Sequence, residues 1–241
     1  MKQGERPAEA EQRLPGIDEA EFAASLDERG YATLPALLDP AECRALVALY
    51  ADERPFRSRV IMQRHGFGRG EYKYLRYPLP APVAELRRAL YPLLVPVANR
   101  WREALREEGR FPASLDEFLA ECHDAGQTRP TPLILKYGGG DYNCLHQDLY
   151  GTLVFPLQLT VLLSDPADFA GGEFLLVEQR PRMQSKAEVV PLRQGEAVVF
   201  AVHRRPVRGA RGFYRVNQRH GVSCVRSGER TTLGIIFHDA A

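Results

Sequence analysis

The chain has 241 residues, 44% of them apolar and 26% charged, with a formal net charge of +1. That balance gives no global attraction to nucleic acid or to a membrane surface, and no run approaches the ~20 apolar residues of a membrane-spanning helix. The start, MKQGERPAEAEQR, lacks the apolar stretch of a secretory signal, and Cys43, Cys122, Cys144 and Cys224 form no C-x-x-C pair, so a cytoplasmic protein with free thiols is expected, without a zinc knuckle or disulfide framework.

Residues 1–16 are charged and aperiodic and read as a loose tail. From residue 17 to about 125 the pattern is mostly helical. Asp39-Pro40-Ala41-Glu42 combines an N-cap, a proline at the first helical position and an acidic third position, and Ser114-Leu115-Asp116-Glu117 repeats the cap-and-acid logic. Val83, Leu86, Leu90, Leu94, Val97 and Trp101 form an apolar stripe at helical spacing, which Pro92 and Pro96 are expected to interrupt or kink. These helices are read as a buttress.

After residue 126 the texture changes to about eight short β-rich runs, near 133–137, 143–149, 155–164, 173–179, 187–192, 196–202, 219–225 and 230–237. Their spacing favours a sandwich or barrel over βαβ units. The expected fold is α+β with a mainly β core: a double-stranded β-helix, or cupin-like jelly roll, over 126–241, with the helices of 17–125 as support for one domain.

Within the β region His146-Gln147-Asp148 places an imidazole and a carboxylate two positions apart, on one face of a strand. His220 supplies a third candidate ligand, since a jelly roll brings distant segments together inside its mouth. Two imidazoles and one carboxylate leave three cis positions open, which is the ligand set of non-haem Fe(II) oxygenases. His203, at the end of the 196–202 run, is the rival third ligand, but no basic residue on a well-placed hairpin follows it. His65, His123 and His238 have no partner pattern and read as structural or exposed. If Arg226-Ser227-Gly228 close a three-residue hairpin, His220 faces Gly234 and shares a strand face with Arg230. A guanidinium fork pairs both oxygens of a carboxylate, so Arg230 would clamp a dicarboxylate that also reaches the metal.

The run from Tyr137 to Asp148, with His220 and with Arg230 ten residues later, resembles the 2-oxoglutarate-dependent Fe(II) dioxygenases. It is similar to the prolyl-hydroxylase-like pattern H-x-D…H followed by a basic residue. Locally it is similar to the alkylated-DNA repair dioxygenases, whose Y-x-x-G-x-x-x-x-L-H-Q-D is met by Tyr137, Gly140, Leu145, His146, Gln147 and Asp148. The segment Arg180–Ser185 and the ending Gly234-Ile235-Ile236-Phe237-His238-Asp239 resemble a bacterial oxygenase family described as acting on damaged DNA. The resemblance implies Fe(II) at His146, Asp148 and His220, 2-oxoglutarate on Arg230 with a hydrogen bond from Tyr137, and O₂ as the oxidant, with no catalytic residue beyond the metal centre. Thr232 and Ile236 stand where the repair enzymes carry further R-x-N-x-x-x-R residues, which is nearer the hydroxylase pattern.

Local charge bears on the substrate. Arg204, Arg205, Arg208, Arg211, Arg215 and Arg219 have no acid among them, and a second segment interleaves Arg57 and Arg59 with Tyr72 and Tyr74. Guanidinium groups neutralise phosphates and aromatics stack on an extruded base, so Arg57, Arg59, Tyr72, Tyr74, Arg204 and Arg205 are the candidate substrate residues. The bland alternative is ordinary ion pairing with Glu71, Glu173 or Glu178. Three readings stand: a dioxygenase removing alkyl lesions from single-stranded or flipped-base nucleic acid, a hydroxylase of prolyl residues, amino acids or small molecules, and a silent jelly-roll binding module. Oligomeric state is open.

Overall fold

A computed structural model describes Leu14 and residues 16–241. Of the expected tail, residues 1–13 and 15 lie outside the described residues. Leu14 is 4% exposed and joins the main core, so the loose reading does not extend to it.

Four helices occur among the described residues: α1 (Glu19–Arg29), α2 (Pro40–Leu49), α3 (Ala81–Leu105) and α4 (Leu115–Asp124). The Asp39 and Ser114 capping boxes both form, each satisfying otherwise orphaned N–H groups. Helix α3 runs unbroken through Pro92 and Pro96, contrary to the expected interruption. Its continuous buried face, from Val83 through Leu90 and Leu94 to Trp101, holds it against the sheet and outweighs the donors lost at proline.

The strands, all paired antiparallel, form two main sheets. The larger has the order β1 (Tyr31–Leu34), β11 (Ala197–Ala201), β7 (Leu157–Leu162), β15 (Arg230–Ile236), β5 (Leu133–Tyr137), β4 (Glu71–Leu75) and β2 (Phe56–Ile61). The smaller runs β10 (Lys186–Val190), β9 (Phe174–Gln179), β13 (Gly212–Val222), β6 (Tyr142–His146) and β3 (Gly68–Arg69), with β12 (Arg204–Gly209) also paired to β13. A short pair joins β8 (Phe169–Gly171) to β14 (Val225–Gly228). The two main sheets face each other as a double-stranded β-helix, where Phe174 and Leu176 of the smaller sheet pack on Val198 and Phe200 of the larger.

Period-two alternation decides what each strand of the larger sheet faces. Leu159, Val161, Val199, Leu233 and Ile235 belong to the core shared with the helices. Their neighbours Gln158, Thr160, Arg230, Gly234 and Ile236 line the space between the sheets.

Two expectations require correction. The region 17–125 is not only helical support, because β1, β2 and β4 are members of the larger sheet; their signal was masked by charged residues such as Lys73, which is buried and bonded through Nζ to the Tyr50 carbonyl and Glu53. The 220–234 hairpin also does not form. β13 and β15 lie in different sheets, the chain between them departing to pair β14 with β8, and Gly234 pairs with Thr160 and Leu133 instead of His220.

Candidate metal centre and its cavity

The turn Gly138–Asp141 feeds β6. It is closed by Asp141 N–H to the Gly138 carbonyl (3.0 Å) and by Gly138 N–H to the Asp141 carboxylate (2.8 Å), with Gly140 at φ +88°. β6 then pairs with β13 so that His146 lies directly across from His220, their ring centroids 4.1 Å apart. Cross-strand pairing thus brings together histidines that are 74 positions apart in sequence. The strand following His220 approaches β6 closely, and a Cβ at Gly221 would stand 2.7 Å from the Asn143 carbonyl. β6 ends at His146, and Asp148 reaches the same point from just beyond it.

The donor atoms of His146, Asp148 and His220 all lie within 4.8 Å of one another. His146 Nε2 is 3.5 Å from Asp148 Oδ1 and His220 Nε2 is 3.3 Å from Oδ2. His146 Nδ1 lies 2.8 Å from the Cys144 carbonyl, an arrangement that fixes the tautomer and leaves Nε2 free for a metal. Asp148 is gripped from outside by the Tyr150 hydroxyl (2.7 Å) and by Gln158 Nε2 (2.9 Å). Burial alone would raise the Asp148 carboxyl; the hydrogen bond and charge of His220, the charge of His146 and the Tyr150 hydroxyl outweigh it and hold the group below the usual carboxylate range. Burial lowers His220, which favours the neutral, ligating imidazole.

These residues open into a cavity of about 350 Å³ whose wall includes Arg230, Tyr137, Tyr72, Phe67 and Leu145. Arg230 is 3% exposed, its Nη1 has no hydrogen-bond partner, and no carboxylate of the described residues stands within 4 Å of it. Burial pulls its pKa down from the ordinary guanidinium range. Its guanidinium carbon lies 5.8 Å from the Tyr137 ring centre. Tyr137 receives Asn143 Nδ2 on its hydroxyl (3.3 Å), and burial pushes its pKa up to about 12. Two imidazoles, a carboxylate and a buried cation awaiting an anion fit Fe(II) and the dicarboxylate 2-oxoglutarate.

The rival His203 lies outside this group. It lines an outer groove with Leu149 and Arg204, and burial followed by the Arg204 and Arg215 charges lowers it to about 4. His238 is fully buried and accepts the Phe155 N–H at Nδ1, and His123 pairs with Asp239.

The candidate substrate residues divide. Tyr72 lines the cavity and Arg204 is exposed. Tyr74 is buried against Leu133 and Ile236. Arg57 donates to the Pro130 carbonyl (2.8 Å) and stacks on Tyr74, while Arg59 is held by Glu71. Arg205 requires correction: it is 1% exposed and bonded to Glu178 and to the Asp27 and Glu28 carbonyls, because strand alternation turns it inward while Arg204 turns out.

Sequence reasoning missed Tyr150 and Gln158. Tyr150 continues the every-second-residue series His146, Asp148, Tyr150, and Gln158 is the one polar side chain before Thr160 in the apolar run from Phe155. Both signals were present.

Residues 70–240 match a family described as an oxygenase catalysing oxidative methylation of damaged DNA. An uncharacterised protein of Mycobacterium tuberculosis, found in two strains, is 56% identical over 165 residues, covering 68% of this chain and 71% of its own length. Among solved structures, a 2OG-Fe(II) oxygenase family oxidoreductase from Burkholderia pseudomallei superposes with a TM-score of 0.51 at 21% identity, covering 95% of this chain and 96% of its own. A Trichoplax adhaerens prolyl hydroxylase, solved with a hypoxia inducible factor peptide, superposes with a TM-score of 0.54 at 12% identity, over 96% and 92% of the two chains. At these identities the structures share the fold. The family match over most of the length makes the chain a member of that oxygenase family, and it shares its fold with 2-oxoglutarate/Fe(II) oxygenases of known structure.

Proposed function

We propose that the protein is an Fe(II)- and 2-oxoglutarate-dependent dioxygenase that oxidises N-alkyl groups on damaged nucleic acid. The observation that carries the reading is the coincidence, in one cavity, of the His146–Asp148–His220 donor group and the unpartnered cation of Arg230. Iron with 2-oxoglutarate and O₂ supplies C–H hydroxylation, with succinate and CO₂ as by-products. His146, Asp148 and His220 hold the metal, with the Cys144 carbonyl, Tyr150 and Gln158 setting their orientation. Arg230 receives the distal carboxylate. Tyr137 stays protonated at neutral pH and offers its O–H to the same group.

The substrate end is apolar and partly exposed, with Phe67 47% and Leu145 42% accessible, and Tyr72 adds an aromatic wall. Such a mouth suits a flat base with a methyl group directed inward. Hydroxylation of an N-methyl group yields a hemiaminal that collapses to formaldehyde and the unmodified base. The family's description supports damaged DNA as the substrate. A location in the cytoplasm goes with this reading; no helix among the described residues is long and apolar enough to cross a membrane.

The test is a coupled succinate and formaldehyde assay on anaerobically iron-loaded protein, with and without methylated single-stranded DNA. Matched, DNA-stimulated formation of both products is expected. Succinate without formaldehyde or DNA stimulation would instead select an aliphatic-carbon hydroxylase of protein or small molecules. That second reading is favoured by Thr232 and Ile236, which leave Arg230 as the one guanidinium lining the cavity among the described residues.

A further inference from the structure

Between Glu196 and Glu229 the chain carries seven arginines and no acid. Most fall on the β12–β13 ribbon, whose register orders them. Along β13 the side chains at 213, 215, 217 and 219 are exposed, while Val216, Gln218 and His220 are buried. Pairing places Arg204 opposite Asn217 and Arg208 opposite Phe213, on that same solvent face. Cationic side chains therefore recur at every second position along the ribbon: Arg219, Arg204, Arg215, Arg208, then Arg211 at the turn.

Two strand residues advance about 6.7 Å. Successive phosphates along a nucleic-acid strand are a comparable distance apart, so these guanidinium groups can meet consecutive phosphates. Among the described residues, Arg215 alone of the five has a carboxylate within 4 Å, Glu107 at 3.7 Å. Phe213, 55% exposed, stands among the guanidinium groups and offers a stacking face that only an unpaired base can use.

We propose that the solvent face of the β12–β13 ribbon is a track for single-stranded nucleic acid. The proposal rests on the nucleic-acid reading of the cavity and adds to it the strand state and the surface. Gln147, between the metal ligands His146 and Asp148, donates through Nε2 to the Gln218 carbonyl (2.8 Å), so the ribbon and the metal centre are joined by a short, direct link.

The test uses the full chain without iron or 2-oxoglutarate, so its failure is distinct from failure of the oxygenase reading. Binding of a fluorescent 12-residue oligothymidylate is followed by anisotropy across a salt series. The variant R208Q/R211Q/R219Q is expected to bind about 50-fold more weakly at 0.15 M salt, with the salt slope reduced by about 2, since each phosphate contact on a single strand contributes roughly 0.7 to that slope. R44Q/R88Q/R193Q removes the same charge elsewhere and should bind as the parent does. Amide exchange on the unmutated chain gives a second readout, with oligonucleotide protection expected over residues 204–219. Equal loss in both variants, equally tight binding of a 12-base-pair duplex, competition by polyglutamate as effective as by unlabelled oligonucleotide, or protection confined to other segments would each overturn the proposal.

Discussion

Replacing Arg230 by methionine separates a cosubstrate clamp from a structural arginine, because the two roles predict opposite changes in stability. Arg230 is 3% exposed with Nη1 unpaired, and methionine fills similar space without charge. A buried donor without a partner costs about 1–3 kcal/mol, so its removal should stabilise the cosubstrate-free protein. For a chain of this size each kcal/mol moves Tm by about 2–4 °C, giving an expected rise of roughly 2–12 °C. Affinity for 2-oxoglutarate should fall. A paired, charge-assisted contact is worth about 3 kcal/mol, or roughly 150-fold in Kd. Differential scanning fluorimetry with and without 2-oxoglutarate, under anaerobic iron or with inert Co(II), reads both quantities, and the 2-oxoglutarate-induced shift should vanish in the variant. A variant that melts lower than the parent while keeping its 2-oxoglutarate Kd would refute the clamp and make Arg230 a packing residue.

Asp148→Ala should abolish succinate formation, and full retention of turnover would sink the metal assignment. Tyr150→Phe and Gln158→Leu each remove one donor to Asp148, and each should weaken Co(II) or Fe(II) binding by about 10-fold or more in a titration, with the fold intact by circular dichroism. Unchanged affinity in both would show that the carboxylate needs no outside support. His238 is 0% exposed and lowered to about 4, chiefly by burial. Between pH 6.5 and 4 the unfolded chain therefore binds a proton that the folded protein refuses, and stability contributed by neutral His238 declines as the pH falls through that window, by up to about 3 kcal/mol. His238→Asn keeps an acceptor for the Phe155 N–H and should flatten that part of the Tm-against-pH curve; an unaltered slope would count against the assignment.

Two of the three candidate metal ligands were legible because their chemistry is written locally: H-x-D occupies three adjacent positions and needs no knowledge of topology, whereas His220 was reached only through the expected jelly roll. Arg230 was found through an argument whose geometry proved wrong. A turn signal at Arg226–Gly228 cannot say whether the flanking strands pair with each other or with strands from elsewhere, and here β15 takes β5 and β7 as partners. It nevertheless faces the same space as His220, because facing sheets and a hairpin can both direct two side chains into one cavity. The strands β2 and β4 were missed for a different reason. Lys73 and Glu71 look like solvent residues, yet Lys73 is buried by bonds to Tyr50 and Glu53, contacts made across 23 and 20 positions of sequence. The same limit applies to Arg204 and Arg205, whose identical chemistry hides opposite orientations until strand phase is known.

The alternation along β15 and β5 has a consequence for how this protein can change. Leu233, Ile235 and Ile134 hold the helices in place, while Leu133, Leu135, Gly234 and Ile236, one position away, shape the chamber. Chamber shape and the support of the fold are thus written in separate, interleaved letters. Exchanging the second set while leaving the first alone offers a route to new substrate preferences in which selectivity is remodelled on a scaffold that keeps its own foundations.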